Sequence, residues 1–289
     1  MTPRFDVATL FVDMCRTVTD ESIIGRAQRA GKLEIHYHNI RDWAGNKHNR
    51  VDDTVYGGGK GMLMQAEPIY QCWKAVCEQT GSRPYVVFPS PQGVQFTQQK
   101  AVELAAKGHV MFICGHYEGV DQRVLDEIVD EEISLGDFVL TGGELAAMVM
   151  LDCAARLQPG VLAEDVCFTE ESHWNGLLEY PQYTHPSRWH DREVPPILLT
   201  GNHANITRWR KDQSILNTLY KRPDMLGRAP LDKKDIAFLQ LLIDENLPRI
   251  QEEERQAKAE RKRQRAAQEA PQAEGELLPA PQEADGPDA

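Results

Sequence analysis

The chain has 289 residues and a formal net charge of −12. That length allows one large domain or two small ones with real cores, and the acidity argues against indiscriminate attraction to nucleic acid. No apolar run reaches membrane-spanning length and the start, MTPRFDVATLF, lacks a secretion signal's basic lead and long apolar stretch, so the sequence reads as cytoplasmic with no membrane partner.

Phe5–Phe11 alternates apolar and polar residues and then turns apolar, which predicts a first strand. A loop and a short helix near Ser22–Arg29 follow, and the clean alternation of Leu33–His38 predicts a second strand. Asn39–Arg50 is too polar for a core and reads as a surface loop. Val51–Met64 places four glycines in five positions around Lys60, a loop that exploits backbone freedom. Gly61 stands where a phosphate-binding loop needs Ser or Thr, which disfavours a nucleoside-triphosphate cradle. Asp52 and Asp53 suit a metal or a base edge, and equally an acidic solvated turn.

Glu67–Glu78 predicts a helix, and Pro84–Pro89 a buried strand that ends in the turn Ser90–Gly93. Thr97 caps a helix running to Ala106. Val110–Cys114 is another buried strand, closed by the turn Gly115–Gly119, and Asp121–Val129 is helical. The apolar run Leu135–Leu140 leads into Thr141-Gly142-Gly143, and a helix opens at Glu144, with Leu145, Met148, Leu151 or Asp152, and Ala155 at helical spacing. Strands alternating with helices imply an α/β fold, a parallel sheet covered on both faces. Ligands in such sheets collect at the carboxyl ends of the strands, where three polar, glycine-bearing turns stand. Paired glycines let the backbone approach a ligand closely, and a helix start leaves N–H groups free; a plain strand–turn–helix corner has the same sequence. The six cysteines (Cys15, Cys72, Cys77, Cys114, Cys153, Cys167) contain no C-x-x-C pair, which points to buried free thiols rather than disulfides or zinc.

Pro159-Gly160 ends a first domain, 1–162, and the acidic, poorly periodic residues after it read as a linker, 163–180. A helical domain, 181–250, contains a helix over Ala204–Leu219 and a second over Lys233–Asn246. The first of these carries Arg208, Arg210 and Lys211, which with Lys221 and Arg222 form the strongest basic cluster. Cations near Trp209, Trp189 and Tyr183 suit RNA, as they also suit an ordinary solvated helix face. The tail, 251–289, has ten acidic and six basic side chains and a Pro, Ala and Glu bias that predicts disorder.

Taken together, VDDTVYGGGKGML, SPQG, CGHYEGVDQRV, ISLGDFVLTGGEL, GLLEYPQYTHP and LTGNHANITRWR strongly resemble the bacterial tRNA (guanine-N1)-methyltransferase family, TrmD, over roughly residues 4–245. The resemblance implies a SPOUT-class fold whose parallel sheet ends in a deep C-terminal trefoil knot, with a small, mainly helical C-terminal domain. It implies a homodimer with composite active sites that methylates tRNA from S-adenosylmethionine, at N1 of the guanosine immediately 3′ to the anticodon (position 37 of the tRNA). Cofactor contacts carried over are Phe88, Pro89, Ser90, Gly115, Leu135, Gly136, Phe138, Leu140, Gly142 and Gly143. Asp52, Tyr56, Gly57, Gly58 and Gly59 match the family's loop that meets tRNA, and His203, Arg208, Arg210 and Lys211 are the expected anticodon-stem contacts. A helpful magnesium ion is also implied, with no residue identifying its ligands.

Guanine N1 attacks only after losing its proton, and charge then builds on O6, where a cation should stand. Arg156 matches the family's O6 partner. The resemblance places the proton-accepting carboxylate immediately before Gly176-Leu177-Leu178, where this chain has Asn175. A carboxamide is not a base, so Asn175 is expected to orient the guanine while Glu171, His173, Glu179 or a water takes the proton. The same departure leaves two rival readings: a knotted methyltransferase for another RNA position, and a non-catalytic tRNA-binding relative. His116 stands where relatives often carry Arg.

Overall fold

The computed structural model describes residues 2–164, 166–245 and 261. They form two compact units: one holds the described residues up to Glu179 together with Arg222–Pro230, the other Tyr180–Lys221 and the described residues from Leu231 on.

The first unit is an α/β fold. Strand β1 (Arg4–Thr9) leads to helices α1 (Val12–Thr19) and α2 (Ser22–Arg29), then to β2 (Glu34–Asn39). A short hairpin, β3 (Asp52–Thr54) and β4 (Met62–Met64), precedes α3 (Ala66–Thr80). Next come β5 (Tyr85–Gln95), α4 (Gln98–Ala105), β6 (His109–Ile113), α5 (Gln122–Ile128) and β7 (Glu131–Ser134). Helix α6 (Glu144–Ala155) and the single turn α7 (Val166–Thr169) complete it. Five strands pair in the order β2-β1-β6-β5-β7, every pairing parallel.

Strand alternation sorts the core into two layers. Phe5, Val7, Val87, Val110 and Phe112 face α1, α2, α4 and α6. Ala8, Val86, Phe88, Met111 and Ile113 face α3 and α5. The middle strands of the sheet are covered on both faces, as parallel sheets require. All six cysteines are free, and burial pushes the Cys15 thiol up to about 11.

Four local expectations are corrected. The first strand ends at Thr9 rather than Phe11, and the expected loop after it contains α1. That helix buries only Cys15 and Thr19, too narrow an apolar stripe to stand out in the sequence. The polar loop after β2 includes a 3-10 turn, Ile40–Trp43, anchored by fully buried Ile40. The strand before the third turn is the acidic Glu131–Ser134, and Leu135–Leu140 belongs to the loop beyond it. In α6 Met148, Leu151 and Ala155 of the expected stripe are buried, together with Ala147, Met150 and Ala154, whereas Leu145 is exposed.

In the second unit, helix α8 (His203–Lys221) and a helix over 233–245 are joined by ion pairs. A small ribbon pairs β8 (Arg188–Trp189) with β9 (Arg192–Glu193). The tail 251–289 lies outside the described residues except for Arg261, as does the expected helix end at Asn246. Among the described residues no helix is long and apolar enough to cross a membrane.

Candidate active site

A bulge within β5 and the loops that follow β6 and β7 meet at the carboxyl edge of the sheet and enclose a cavity of about 310 Å³, within the usual range for small-molecule sites, roughly 300–1,000 Å³. The strand expected to end at Pro89 continues beyond the bulge to Gln95. Phe88, Pro89 and Ser90 line it from β5, Gly115 from β6, and Leu135, Phe138, Leu140, Gly142 and Gly143 from the third loop. Gly136 belongs to that loop without lining the cavity.

Local chemistry explains each wall. Pro89 and Val94 both oppose Ile133, so Ser90–Gly93 bulges out of the ladder, and the Ser90 hydroxyl accepts from the Gln92 N–H at 3.2 Å. The third loop crosses directly over the second: Gly143 N–H donates to the Gly115 carbonyl at 2.8 Å. A Cβ on Gly143 would stand 3.0 Å from Cys114 Cα and from Gly115 N, so any side chain there would press the two backbones apart, and glycine allows the close approach without that shift. Just beyond, buried Glu144 accepts from the Thr9 hydroxyl at 2.8 Å, which fastens the start of α6 to the end of β1.

The β3–β4 hairpin is mounted on the cavity rim. Met64 N–H donates to Gly119 O (2.9 Å), Glu118 N–H to Met62 O (3.0 Å) and Asp121 N–H to Met64 O (3.0 Å). Leu63 therefore lines the cavity, while Asp52 pairs opposite Met64 farther back. The hairpin tip projects: Tyr56 is 96% exposed, and Gly57 and Gly58 take φ of 85° and 84°, with open space where a Cβ would stand. Gly59 abuts Val55.

Arg156 does not stand beside this cavity within its own chain. It caps the far end of α6, twelve residues from Glu144, or about 18 Å at 1.5 Å per residue. There its guanidinium makes a two-pronged pair with Glu171, Nη1 to Oε2 at 2.6 Å and Nη2 to Oε1 at 2.8 Å. The hydrogen bonds to Glu171 hold the Arg156 pKa above its ordinary value. Asn175 is exposed, and its Oδ1 accepts from Leu177 N–H at 3.4 Å, a local turn contact. His173 is exposed with φ of 73°, its N–H donating to Leu177 O at 3.0 Å. Of the residues expected to handle the proton, the structure brings Glu171 to Arg156.

In the second unit the basic cluster divides. Arg208 pairs with Asp212 and, at 2.8 Å, with Asp235. Lys211 lies 3.8 Å from the same Asp235. Arg210 is exposed, its guanidinium 4.8 Å from the centre of the Tyr180 ring, and His203 is exposed at the start of α8.

The cavity has carboxylates that sequence reasoning did not single out, Glu118 and Glu132. Glu118 sits inside the Gly115–Gly119 turn, a position that could have drawn notice; Glu132 is hidden in a strand whose acidity masks it. Among the described residues no group of three His, Cys, Asp or Glu side chains could hold a metal ion.

Residues 3–228 match the family described as tRNA (Guanine-1)-methyltransferase TrmD. A tRNA (guanine-N(1)-)-methyltransferase of Ruminiclostridium cellulolyticum is 52% identical over 227 residues, 78% of this chain and 97% of the relative. Similarly named proteins of Chloroflexus aurantiacus (49% over 241 residues, 82% and 94%) and Dehalococcoides mccartyi (46% over 246 residues, 85% and 99%) span the same region.

Proposed function

The chain belongs to the tRNA (guanine-1)-methyltransferase TrmD family, and on that premise we propose that it methylates N1 of the guanosine immediately 3′ to the anticodon in tRNA, with S-adenosylmethionine held in the three-loop cavity. The residues present fit that cofactor. Apolar Phe88, Leu135, Phe138 and Leu140 can flank an adenine, and Glu118 and Glu132 can face the positive charge of an ammonium or sulfonium. When bound, the cofactor supplies an electrophilic methyl group.

The observation that carries the reading is the Arg156–Glu171 pair. Guanine presents O6, an acceptor, beside N1–H, a donor. A guanidinium and a carboxylate set side by side are the complement of that edge. In this reading Glu171 takes the N1 proton while Arg156 stabilises the charge on O6. Asn175 has no proton-accepting role; Glu171, four residues earlier, replaces it.

The distance along α6 also supports a composite site. A guanine held at Arg156 is too far from the cavity of the same chain, so the two halves come together between subunits of a homodimer. Helices α1 and α6 pack together and expose Met14, Val18, Leu145 and Val149, and the third loop exposes Phe138 and Val139. Such surface favours a protein partner. The close crossing of the third loop over the second supports the trefoil knot of the family, an exception to unknotted connections. Residues 181–250 form the tRNA-binding domain in this reading, with Arg210 and His203 exposed toward phosphates, and Asp52, Tyr56 and the glycine tip meet tRNA at the cavity rim.

Methyl transfer from labelled S-adenosylmethionine to a tRNA with guanosine after the anticodon, with the product nucleoside identified by mass, tests the activity. Glu171→Gln is expected to lower kcat by about a hundredfold or more, and Asn175→Ala to stay within a few-fold of the unmodified chain. Retained kcat in Glu171→Gln removes Glu171 as the base.

A further inference from the structure

We propose that the ribbon 188–193 is a stacking platform on which Trp189 and Arg192 take an unpaired tRNA base and the phosphate next to it. This rests on the tRNA reading above and adds a substrate contact that the chemistry at Arg156 and Glu171 does not require.

The register of the ribbon sets the geometry. Arg188 lies opposite Glu193, and Trp189 opposite Arg192. Directly opposed residues of an antiparallel pair share one face, so the indole and the Arg192 guanidinium stand on the same side, and Arg188 with Glu193 on the other. The connecting residues are His190 and Asp191, with His190 at φ of 53°. The His190 ring meets Trp189 edge-on, centroids 4.4 Å apart at 79°, which limits the motion of the indole. Val194 N–H donates to Ser187 O at 2.8 Å and extends the pairing by a step.

No core claims this tryptophan. Every residue from Gln182 to Glu193 is exposed, and Trp189 itself is 64% exposed. A large apolar ring kept in water forgoes the stabilisation that burial gives, and it is free to be covered by a ligand. The charges narrow the choice of ligand. Arg188 is engaged: its Nε donates to His190 O at 3.2 Å, and its guanidinium lies 3.8 Å from Asp191. Among the described residues no ion pair involves Arg192, so the cation beside the indole is the available one. An aromatic face next to a free guanidinium matches a base and its phosphate. The core of a protein interface is a well-packed patch depleted of acidic side chains, whereas here Asp191 and Glu193 stand beside the one Trp on a ribbon exposed throughout.

The test uses the full-length protein and measures tRNA affinity across salt concentrations together with steady-state kinetics. Trp189→Ala is expected to weaken tRNA binding by roughly ten- to a hundredfold. It raises KM for tRNA while kcat and KM for S-adenosylmethionine stay unchanged, and Trp189→Phe recovers most of the loss. Arg192→Ala is expected to reduce the slope of log affinity against log salt by about one, a slope that Trp189→Ala leaves alone. Because nothing on the ribbon is buried, circular dichroism and melting should not change. Wild-type affinity and slope in both Trp189→Ala and Arg192→Ala overturn the platform, as does a Trp189→Ala effect confined to self-association with tRNA affinity intact. If the unmodified chain neither binds nor methylates tRNA, the functional reading fails as well; if it methylates normally and the ribbon variants do too, the platform alone fails.

Discussion

A charged residue with no exposure at all has to be understood through its partners, and Asp6 is the clearest case. It lies 0% exposed on β1, accepting two hydrogen bonds from Arg4 at 2.8 Å, one from His38 at 2.6 Å and one from His109 at 2.7 Å. Burial by itself would raise the carboxyl pKa, but hydrogen bonds from Arg4, His109 and His38 hold it well below the ordinary carboxylate range. The sign of the linkage follows from that depression. The stabilisation is fully present above the unfolded-state value of about 3.9 and is lost progressively as pH falls below it. Asp6→Asn keeps the shape and removes the charge, leaving Arg4 without its partner. Urea unfolding at pH 7 should show a loss of about 3–5 kcal/mol, and the gap between variant and parent should narrow in strong acid. An unchanged midpoint at pH 7 would mean the cluster is neutral for stability.

Helices and strands were legible where local chemistry decides them. Thr97 was readable as a cap, and its hydroxyl does accept from Lys100 N–H at 3.3 Å; Gly142-Gly143 before Glu144 marked the start of α6, and the three turns that line the cavity were visible as glycine-bearing strand ends. What the sequence hid depends on partners far along the chain. Glu131 and Glu132 disguised β7, which forms because β5 offers it a ladder. Glu171 acquires meaning only from Arg156, fifteen residues earlier. The sequence marks Arg208 as a member of the basic cluster but could not place Asp235, 27 residues away, beside it. Asp235 is 3% exposed, so Arg208 acts as a strut between α8 and the helix over 233–245. Arg208→Ala should therefore destabilise the second unit by about 1–3 kcal/mol, the usual cost of a buried acceptor losing its donor. Arg210→Ala should leave melting alone and reduce the salt slope of tRNA binding by about one. Calorimetry paired with binding at several salt concentrations separates the two, and the reverse pattern would return Arg208 to the RNA surface.

At the scale of the whole molecule the question is how a methyl donor and a guanine would meet if, as proposed, their sites lie at opposite ends of one helix. Helix α6 is continuous from Glu144 to Ala155 and sits in the core through Ala147, Met150, Leu151 and Ala154, so it cannot shorten to bring them together. Bending a packed helix enough to close about 18 Å would break the layer that holds the sheet. Two subunits solve the problem if each lends its Arg156–Glu171 end to the other's cavity, and this can be tested without knowing the interface in detail. Ser90→Trp fills the cavity, and Glu171→Gln removes the proposed base; neither homodimer should transfer methyl groups. Heterodimers made by co-expression with two different tags pair an open cavity from one chain with an intact Glu171 from the other. Each such heterodimer then contains one complete site and should recover up to about half the unmodified turnover, since one site of two is restored. A site confined to a single chain predicts no recovery, because every chain in the mixture carries a lesion.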